Sequence, residues 1–128
     1  MKYVNPNITI IIDIIKYTKQ NTSMDVSIMS NTLDFGNYTE EELSKYIDNI
    51  DFTLHGRNAI EHEEFCGAEK GLYDNVTKKL GNYIKLGVNV NIAINLIPKT
   101  YNKIYEMVKS MYECGVKFNT LLSTFNLE

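Results

Sequence analysis

The sequence has few of the features that would place it in a specialised class of protein. It contains two cysteines among 128 residues, Cys66 and Cys114, and neither belongs to a CxxC pair. Such spacing gives no support to a zinc or redox motif, and it predicts two buried or idle thiols in a reducing compartment. The most apolar run, residues 8–15, is far shorter than the roughly 20 residues that span a bilayer, and Asp13 interrupts it.

Basic residues are not concentrated in any segment. The 13 Lys and Arg residues are interspersed with 16 Asp and Glu residues, which gives a net charge of -3. Because a nucleic-acid-binding surface needs a clustered basic face, we expect no nucleic-acid partner. The sequence also lacks the charged start and small-residue cleavage site of a signal peptide. These observations predict a cytoplasmic protein with no membrane contact.

The length and composition predict a single folded domain. Hydrophobic residues make up 44% of the chain and charged residues 23%, which is ordinary for a globular protein. No segment is polar or repetitive enough to indicate disorder. A complete eight-unit (β/α) barrel needs about 250 residues, so 128 residues suggest a partial architecture.

Four stripes of apolar residues at helical spacing predict four helices. The first covers about residues 6–19, with Asn5 as its cap and Pro6 at its first position. The second starts at a capping box over residues 39–42 and buries Leu43, Tyr46 and Ile47. The third covers about residues 73–84 and stops at Gly87. The fourth covers about residues 104–111, is capped by Thr100 and stops at Gly115.

Four runs of strand character lie between and after these helices, at residues 25–31, 50–55, 88–96 and 117–122. The predicted order is therefore α-β-α-β-α-β-α-β. Strands separated by helices of this length cannot form hairpins, so we expect a parallel sheet of the α/β class. Because a helix comes first, either the chain begins with an additional helix or at least one earlier strand is missing.

Polar and apolar residues alternate along the predicted strands. In residues 50–55 the polar set is Asp51, Thr53 and His55, and in residues 88–96 it is Asn89, Asn91, Ala93 and Asn95. The first strand repeats the pattern with Ser27, Met29 and Asn31. A parallel strand covered on both faces is normally apolar on both, so this pattern predicts a polar cavity at the carboxyl ends of the strands. A solvated face of an open sheet that binds nothing is the alternative.

Two histidines are candidates for a site. His55 lies at a strand end before Gly56 and could contact a ligand, carry a proton or be a satisfied polar group. His62 lies in the charged segment of residues 61–64, which predicts a solvated helix surface and not an acid/base pair. No second His or Cys lies near His55 at metal-ligand spacing, so no metal site is predicted.

Several short segments resemble the radical S-adenosylmethionine (SAM) superfamily, especially its peptide-modifying, sulfatase-maturing and cofactor-building branch. Residues 27–32 (SIMSNT) resemble its third strand, which usually ends Thr-Asn-Gly, and residues 50–56 (IDFTLHG) resemble its fourth, which commonly ends Ser-Leu-Asp-Gly. Residues 61–76 are similar to its Glu-His-Asp, Arg-Gly and Gly-Ser-Phe pattern. Residues 86–91 and 99–102 resemble its fifth strand and the following helix start. Thr32, His55 and Cys66 depart from the usual Gly, Asp and Arg.

The resemblance implies that residues 1–128 are the C-terminal portion of a radical SAM partial barrel, from the second helix through the sixth strand. The parent would be an oxidoreductase-type enzyme that cleaves SAM at a [4Fe-4S] cluster and abstracts hydrogen from a small-molecule or peptide substrate. The family's CxxxCxxC loop, which binds that cluster, is absent from this sequence. We therefore expect no catalytic residue, no bound cluster and no activity from this chain alone.

The resemblance also implies which residues face SAM. Thr53 would contact the ribose, Asn31 and Asn91 would line the SAM side, and Asn95 and His55 share the same inward face. The alternative function is a non-catalytic α/β binding module that lost the cluster. In either case the strand at residues 25–31 would be an open edge. We expect self-association through that edge or through the apolar stripe of Ile8, Ile11, Ile12 and Ile15.

Overall fold

The structure is a computed structural model that describes the backbone of residues 6–116 and 120–124 and the side chains of residues 7–116. It contains five helices and four strands within these residues. In chain order they are α1 (Pro6–Asn21), β1 (Ser27–Met29), α2 (Glu40–Leu43), β2 (Asn49–Leu54), α3 (Ala59–Cys66), α4 (Leu72–Lys85), β3 (Asn89–Leu96), α5 (Ile104–Glu113) and β4 (Thr120–Thr124).

The strands form one parallel sheet in the order β1-β2-β3-β4. Each strand pairs with the next one along the chain, and Thr53 lies opposite Ala93 in the register of β2 and β3. Helical connections are long enough to return the chain to the start of the next parallel strand. The predicted α/β class is therefore confirmed, and the predicted alternation of elements is wrong at one place, because α3 and α4 both lie between β2 and β3.

One face of the sheet is packed into the core. The alternate residues Ile50, Phe52 and Leu54 of β2 are buried, and so are those of β3. They join buried side chains from the amphipathic helices in one cluster, which includes Ile12, Val76, Leu80, Tyr83, Met107 and Met111. The opposite set, with Asp51 and Thr53, remains partly exposed. The predicted division into an apolar and a polar face is confirmed for β2 and β3.

The helix ends match three of four predicted signals, namely the capping box, Gly87 and Gly115 but not Thr100. The capping box of α2 is present, since the Thr39 Oγ1 accepts from the Glu42 backbone N-H and the Thr39 N-H donates to the Glu42 carboxylate. Gly87 and Gly115 have φ of 88° and 98°, values that residues with a side chain rarely adopt and that are typical of the glycine after a helix. The prediction that Thr100 caps the fourth helix is wrong. Its hydroxyl donates to the Asn95 carbonyl and is bound within the preceding turn, and α5 starts after Lys103.

The first helix is joined to the sheet by a charged hydrogen-bond network. The Lys19 Nζ donates to both carboxylate oxygens of Asp48, at 2.8 and 2.7 Å, and the Val26 backbone N-H donates to the same carboxylate at 2.7 Å. The hydrogen bond from Lys19 is the main cause of the lowered pKa of Asp48. The predicted cap, Asn5, lies outside the described residues.

The β1 edge is shorter than predicted, with three residues in place of seven. The predicted exposed stripe on α1 is only partly exposed, because Ile12 and Ile15 are buried and Ile11 is 48% exposed. Beside the edge lies an apolar groove of about 380 Å³, lined mainly by Ile8, Ile11, Ile15, Ile28, Met29 and Phe35. Within the described residues, no helix combines the length and the apolar character needed to cross a membrane.

Candidate functional site

A cavity of about 220 Å³ lies at the carboxyl ends of β1 and β2. It contains three of the five predicted site residues: Asn31, which follows β1, Thr53 on β2, and His55, which follows β2. Ligands of open α/β sheets bind at this end of the strands, because the loops that follow the strands meet there. The full lining is Asn31, Thr32, Thr53, His55, His62, Cys66, Ala68 and Leu72.

The other two predicted residues lie outside this cavity. Asn91 is opposite Asp51 in the register, and its Nδ2 donates to the Asp51 Oδ1 at 2.9 Å. The Asn91 Oδ1 is buried and has no hydrogen-bond partner among the described residues. Asn95 is four positions further along the same face of β3, and its backbone carbonyl accepts from the Thr100 hydroxyl. The polar face therefore continues from the cavity onto β3.

The His55 ring forms one wall of the cavity. It stacks on the Phe65 ring with a centroid distance of 4.6 Å and an interplanar angle of 13°, and its centroid lies 5.5 Å from that of His62. The ring is half-buried, and burial lowers the pKa of His55 below its ordinary value. At neutral pH it is therefore an uncharged aromatic wall.

His62 was predicted to be solvated, and this prediction is wrong. The side chain is 2% exposed and packs against the rings of Phe52 and Tyr73, with centroid distances of 5.5 and 5.6 Å. Its Nδ1 accepts a hydrogen bond from the His55 backbone N-H at 3.1 Å. Burial, and then the nearby His55, lower the pKa of His62 to about 4. The ring is therefore neutral at neutral pH.

The hydrogen bond to Nδ1 also fixes the position of the proton on His62. Because Nδ1 is an acceptor, Nε2 carries the proton, and Nε2 lies 3.8 Å from the Cys66 Sγ. Burial raises the pKa of the Cys66 thiol. A base whose facing nitrogen is already protonated cannot take the proton of this thiol, so the pair does not form an activated nucleophile.

The two cysteines are free and both are exposed, so of the two predicted alternatives, buried or idle thiols, burial applies to neither of them. Cys66 ends α3 and Cys114 follows α5. No group of three or more His, Cys, Asp or Glu side chains in the described part of the chain is arranged to hold a metal ion. A [4Fe-4S] cluster that keeps one iron open for SAM needs three thiolates from its protein, so these two residues do not fit the cluster that the resemblance implies.

A glycine after β2 allows α3 to lie close to the strand end. A Cβ on Gly56 would lie 2.5 Å from both the Glu61 Cβ and the His62 backbone nitrogen. Asn58 then caps α3, since its Oδ1 accepts from the Glu61 N-H at 3.0 Å. This tight connection brings His62 beneath His55 and places it in the cavity wall.

The carboxylates of α3 have different roles, which corrects the prediction of a uniformly solvated surface. Glu63 is buried and accepts from the Gly71 and Tyr73 backbone N-H groups at 3.0 and 2.8 Å. It thereby caps α4, whose N-cap residue Gly71 has no side chain of its own. Glu61 accepts several hydrogen bonds from Arg57, which lower the pKa of Glu61 to about 2. Glu64 is exposed, as predicted.

The lining of the cavity determines what it can bind. Its polar groups are an amide, two hydroxyls, a thiol and two imidazoles that are neutral at neutral pH, and no carboxylate, lysine or arginine of the described residues lines it. Such a lining can donate and accept hydrogen bonds but cannot neutralise a phosphate or a carboxylate. It suits an uncharged, polar ligand group such as a sugar or a nucleobase.

No protein-family model matches the sequence of this chain, and no curated protein matches it.

Proposed function

We propose that the chain is the SAM-lining part of a radical SAM partial barrel, in which the cavity between Asn31, Thr53 and His55 binds the adenosyl group. The observation that carries the proposal is this uncharged polar cavity at the carboxyl ends of parallel strands. A ribose presents hydroxyl groups, which the Thr53 hydroxyl and the Asn31 amide can bind. The sequence resemblance is the reason for choosing SAM among nucleosides.

The size of the cavity supports binding of part of the ligand. At about 220 Å³ it is smaller than the roughly 300–1,000 Å³ of pockets that enclose a complete small molecule. The remainder of SAM would then extend over the polar face of the sheet. Asn91 lies on that face with a buried Oδ1 that accepts no hydrogen bond among the described residues, so a ligand N-H group could be bound there.

The proposal assigns binding and no catalytic step to this chain. Cleavage of SAM in the family depends on a [4Fe-4S] cluster, and Cys66 and Cys114 do not fit it. The same observation favours the second candidate, a non-catalytic α/β binding module. The genomic sequence upstream of Met1 distinguishes the two, since a CxxxCxxC motif there would indicate an enzyme and its absence would indicate a module.

Titration of the chain with 5'-deoxyadenosine, SAM and methionine tests the proposal. We expect the two adenosyl compounds to shift the backbone amide NMR signals of Asn31 and Thr53, which line the cavity and not the neighbouring concavity, and methionine to leave these two signals unchanged. Thr53→Val keeps the shape of the side chain and removes its hydroxyl, so it should weaken 5'-deoxyadenosine binding about fivefold, as expected for one hydrogen bond.

Thr77→Val is the matched control, because the Thr77 hydroxyl donates to the Asp74 carbonyl within α4 and does not line the cavity. It should leave binding unchanged. Equal binding by both variants, or shifts confined to residues outside the cavity, would show that the adenosyl group is not held by Thr53. Shifts of the Asn31 and Thr53 signals by methionine and not by 5'-deoxyadenosine would also overturn the proposal.

A further inference from the structure

A second, larger concavity lies on the other side of His55. It measures about 370 Å³ and is formed after the carboxyl ends of β2 and β3, and we refer to it as the charged cleft. Unlike the cavity, it is lined by ionisable side chains. Its lining consists of His55, Glu61, Glu64, Phe65, Lys99 and Lys103. His55 is the one residue that lines both the charged cleft and the cavity.

Part of the charge in the cleft is already neutralised by ion pairs. The Arg57 guanidinium donates to the Glu61 carboxylate through Nε and Nη2, and its Nη1 lies 2.7 Å from the Glu106 Oε2. The Lys103 Nζ lies 3.5 Å from the Glu61 Oε1. These two cations and two carboxylates balance one another. A ligand would have to break existing bonds to recruit them.

Two opposite charges in the cleft remain without an ion pair among the described residues: Lys99, which follows β3, and Glu64 on α3. The lining of the cleft also includes an aromatic side chain, Phe65. The Phe65 ring is 42% exposed, stacks on His55, and has the Lys99 Nζ 5.9 Å from its centroid. The cleft therefore offers one cation, one anion and an aromatic face.

We infer that the charged cleft binds a zwitterion, namely an amino acid with an apolar side chain. Lys99 would bind the α-carboxylate, Glu64 the α-ammonium group, and the apolar side chain would pack on Phe65. A simple anion would be attracted by Lys99 and repelled by Glu64, whereas a simple cation would be attracted by Glu64 and repelled by Lys99. A zwitterion gains from both. This ligand is additional to the adenosyl group proposed for the cavity.

Three compounds that share a phenylethyl framework test the inference: L-phenylalanine, phenethylamine, which lacks the carboxylate, and 3-phenylpropionate, which lacks the amine. We expect L-phenylalanine to bind about fivefold more tightly than either, as one exposed ion pair allows. The amide NMR signals of Glu64, Phe65 and Lys99 should shift, and those of Asn31 and Thr53 should not. Because the two sets of signals are separate, this inference and the proposed function can fail independently.

Variants that remove one charge test whether Lys99 binds the carboxylate and Glu64 binds the ammonium group. Lys99→Gln should abolish the advantage of L-phenylalanine over phenethylamine and keep its advantage over 3-phenylpropionate. Glu64→Gln should abolish the advantage of L-phenylalanine over 3-phenylpropionate and keep its advantage over phenethylamine. Lys109→Gln and Glu113→Gln, two exposed positions on α5, are the matched controls and should change neither ratio. Equal affinity for all three compounds, no detectable binding, or the same change in a control would overturn the inference.

Discussion

Protonation of the buried His62 should destabilise the protein between neutral and mildly acidic pH. The pKa of His62 is lowered from 6.5 to about 4 in the folded state, so the unfolded chain binds a proton first as the pH falls. Stability from this residue is fully present above about pH 6.5 and is lost as the pH falls towards 4. With these two pKa values, the loss between about pH 7.5 and about pH 5 amounts to about 2 kcal/mol.

Urea unfolding at the two pH values measures this loss. The carboxylate of Glu61 does not interfere, because its stabilisation is present above its ordinary pKa of 4.5 and is lost only as the pH falls towards about 2. The glutamine in His62→Gln does not titrate, so most of the pH dependence of the free energy of unfolding should disappear, whatever the stability of this variant at neutral pH. His55→Gln should remove a smaller part, because His55 is only half-buried. An unchanged pH dependence in His62→Gln would refute the assignment.

Three further predictions concern packing, association and iron. Gly56→Ala should lower the free energy of unfolding in urea by about 1–3 kcal/mol, because the added Cβ would clash with α3. At Gly81 an added Cβ would meet no atom within 4 Å, so Gly81→Ala should be neutral or stabilising in the same assay. The chain should self-associate at micromolar concentration in light scattering through the β1 edge. Met29→Lys changes a residue of β1 that is 76% exposed, and it should yield monomers. Tyr105→Lys, at a position 79% exposed on α5, should leave the association unchanged. If the unsubstituted chain is a monomer, the prediction is wrong. After anaerobic reconstitution with iron and sulfide the chain should stay colourless, and stoichiometric iron with visible cluster absorbance would contradict that expectation.

The central strands could be predicted because their sequences alternate with a period of two. In β2 and β3 the branched or aromatic residues fall at every second position, and these same positions are buried. The edge strand β1 was predicted too long. Its flanking residues have the same alternation, but strand pairing also needs a neighbour, and the register with β2 covers only residues 27–29.

The helix α3 could not be predicted from apolar periodicity, because its buried face is polar. His62 and Glu63 are both buried, and each is satisfied by a specific hydrogen bond to backbone N-H groups of another segment. Hydrophobic spacing cannot detect such a helix. The signal that was present is local: Asn58, a strong capping residue, stands three positions before Glu61 and binds its N-H.

The same limitation explains how much of the site was found. Strand alternation placed Asn31, Thr53 and His55 on one face, and the structure brings these three together in the cavity. The opposite wall comes from α3 and its connection to α4, which alternation along strands cannot place. His62 and Cys66 were therefore missed as cavity residues, although both appear in the sequence segment that resembles the radical SAM pattern.

His55 determines the chemical character of both concavities. In the sequences that this strand resembles, an aspartate commonly stands at its position, and an ionised carboxylate there would put a charge on the cavity wall and beside the buried His62. A neutral imidazole instead stacks on Phe65 and separates an uncharged cavity from the charged cleft. The His55 backbone N-H fixes the proton of His62 on Nε2, and burial keeps both imidazole rings neutral at neutral pH. The neutral ring at position 55 therefore keeps charge off this wall of the cavity, where we propose that an uncharged group binds, and leaves the ionisable side chains in the cleft.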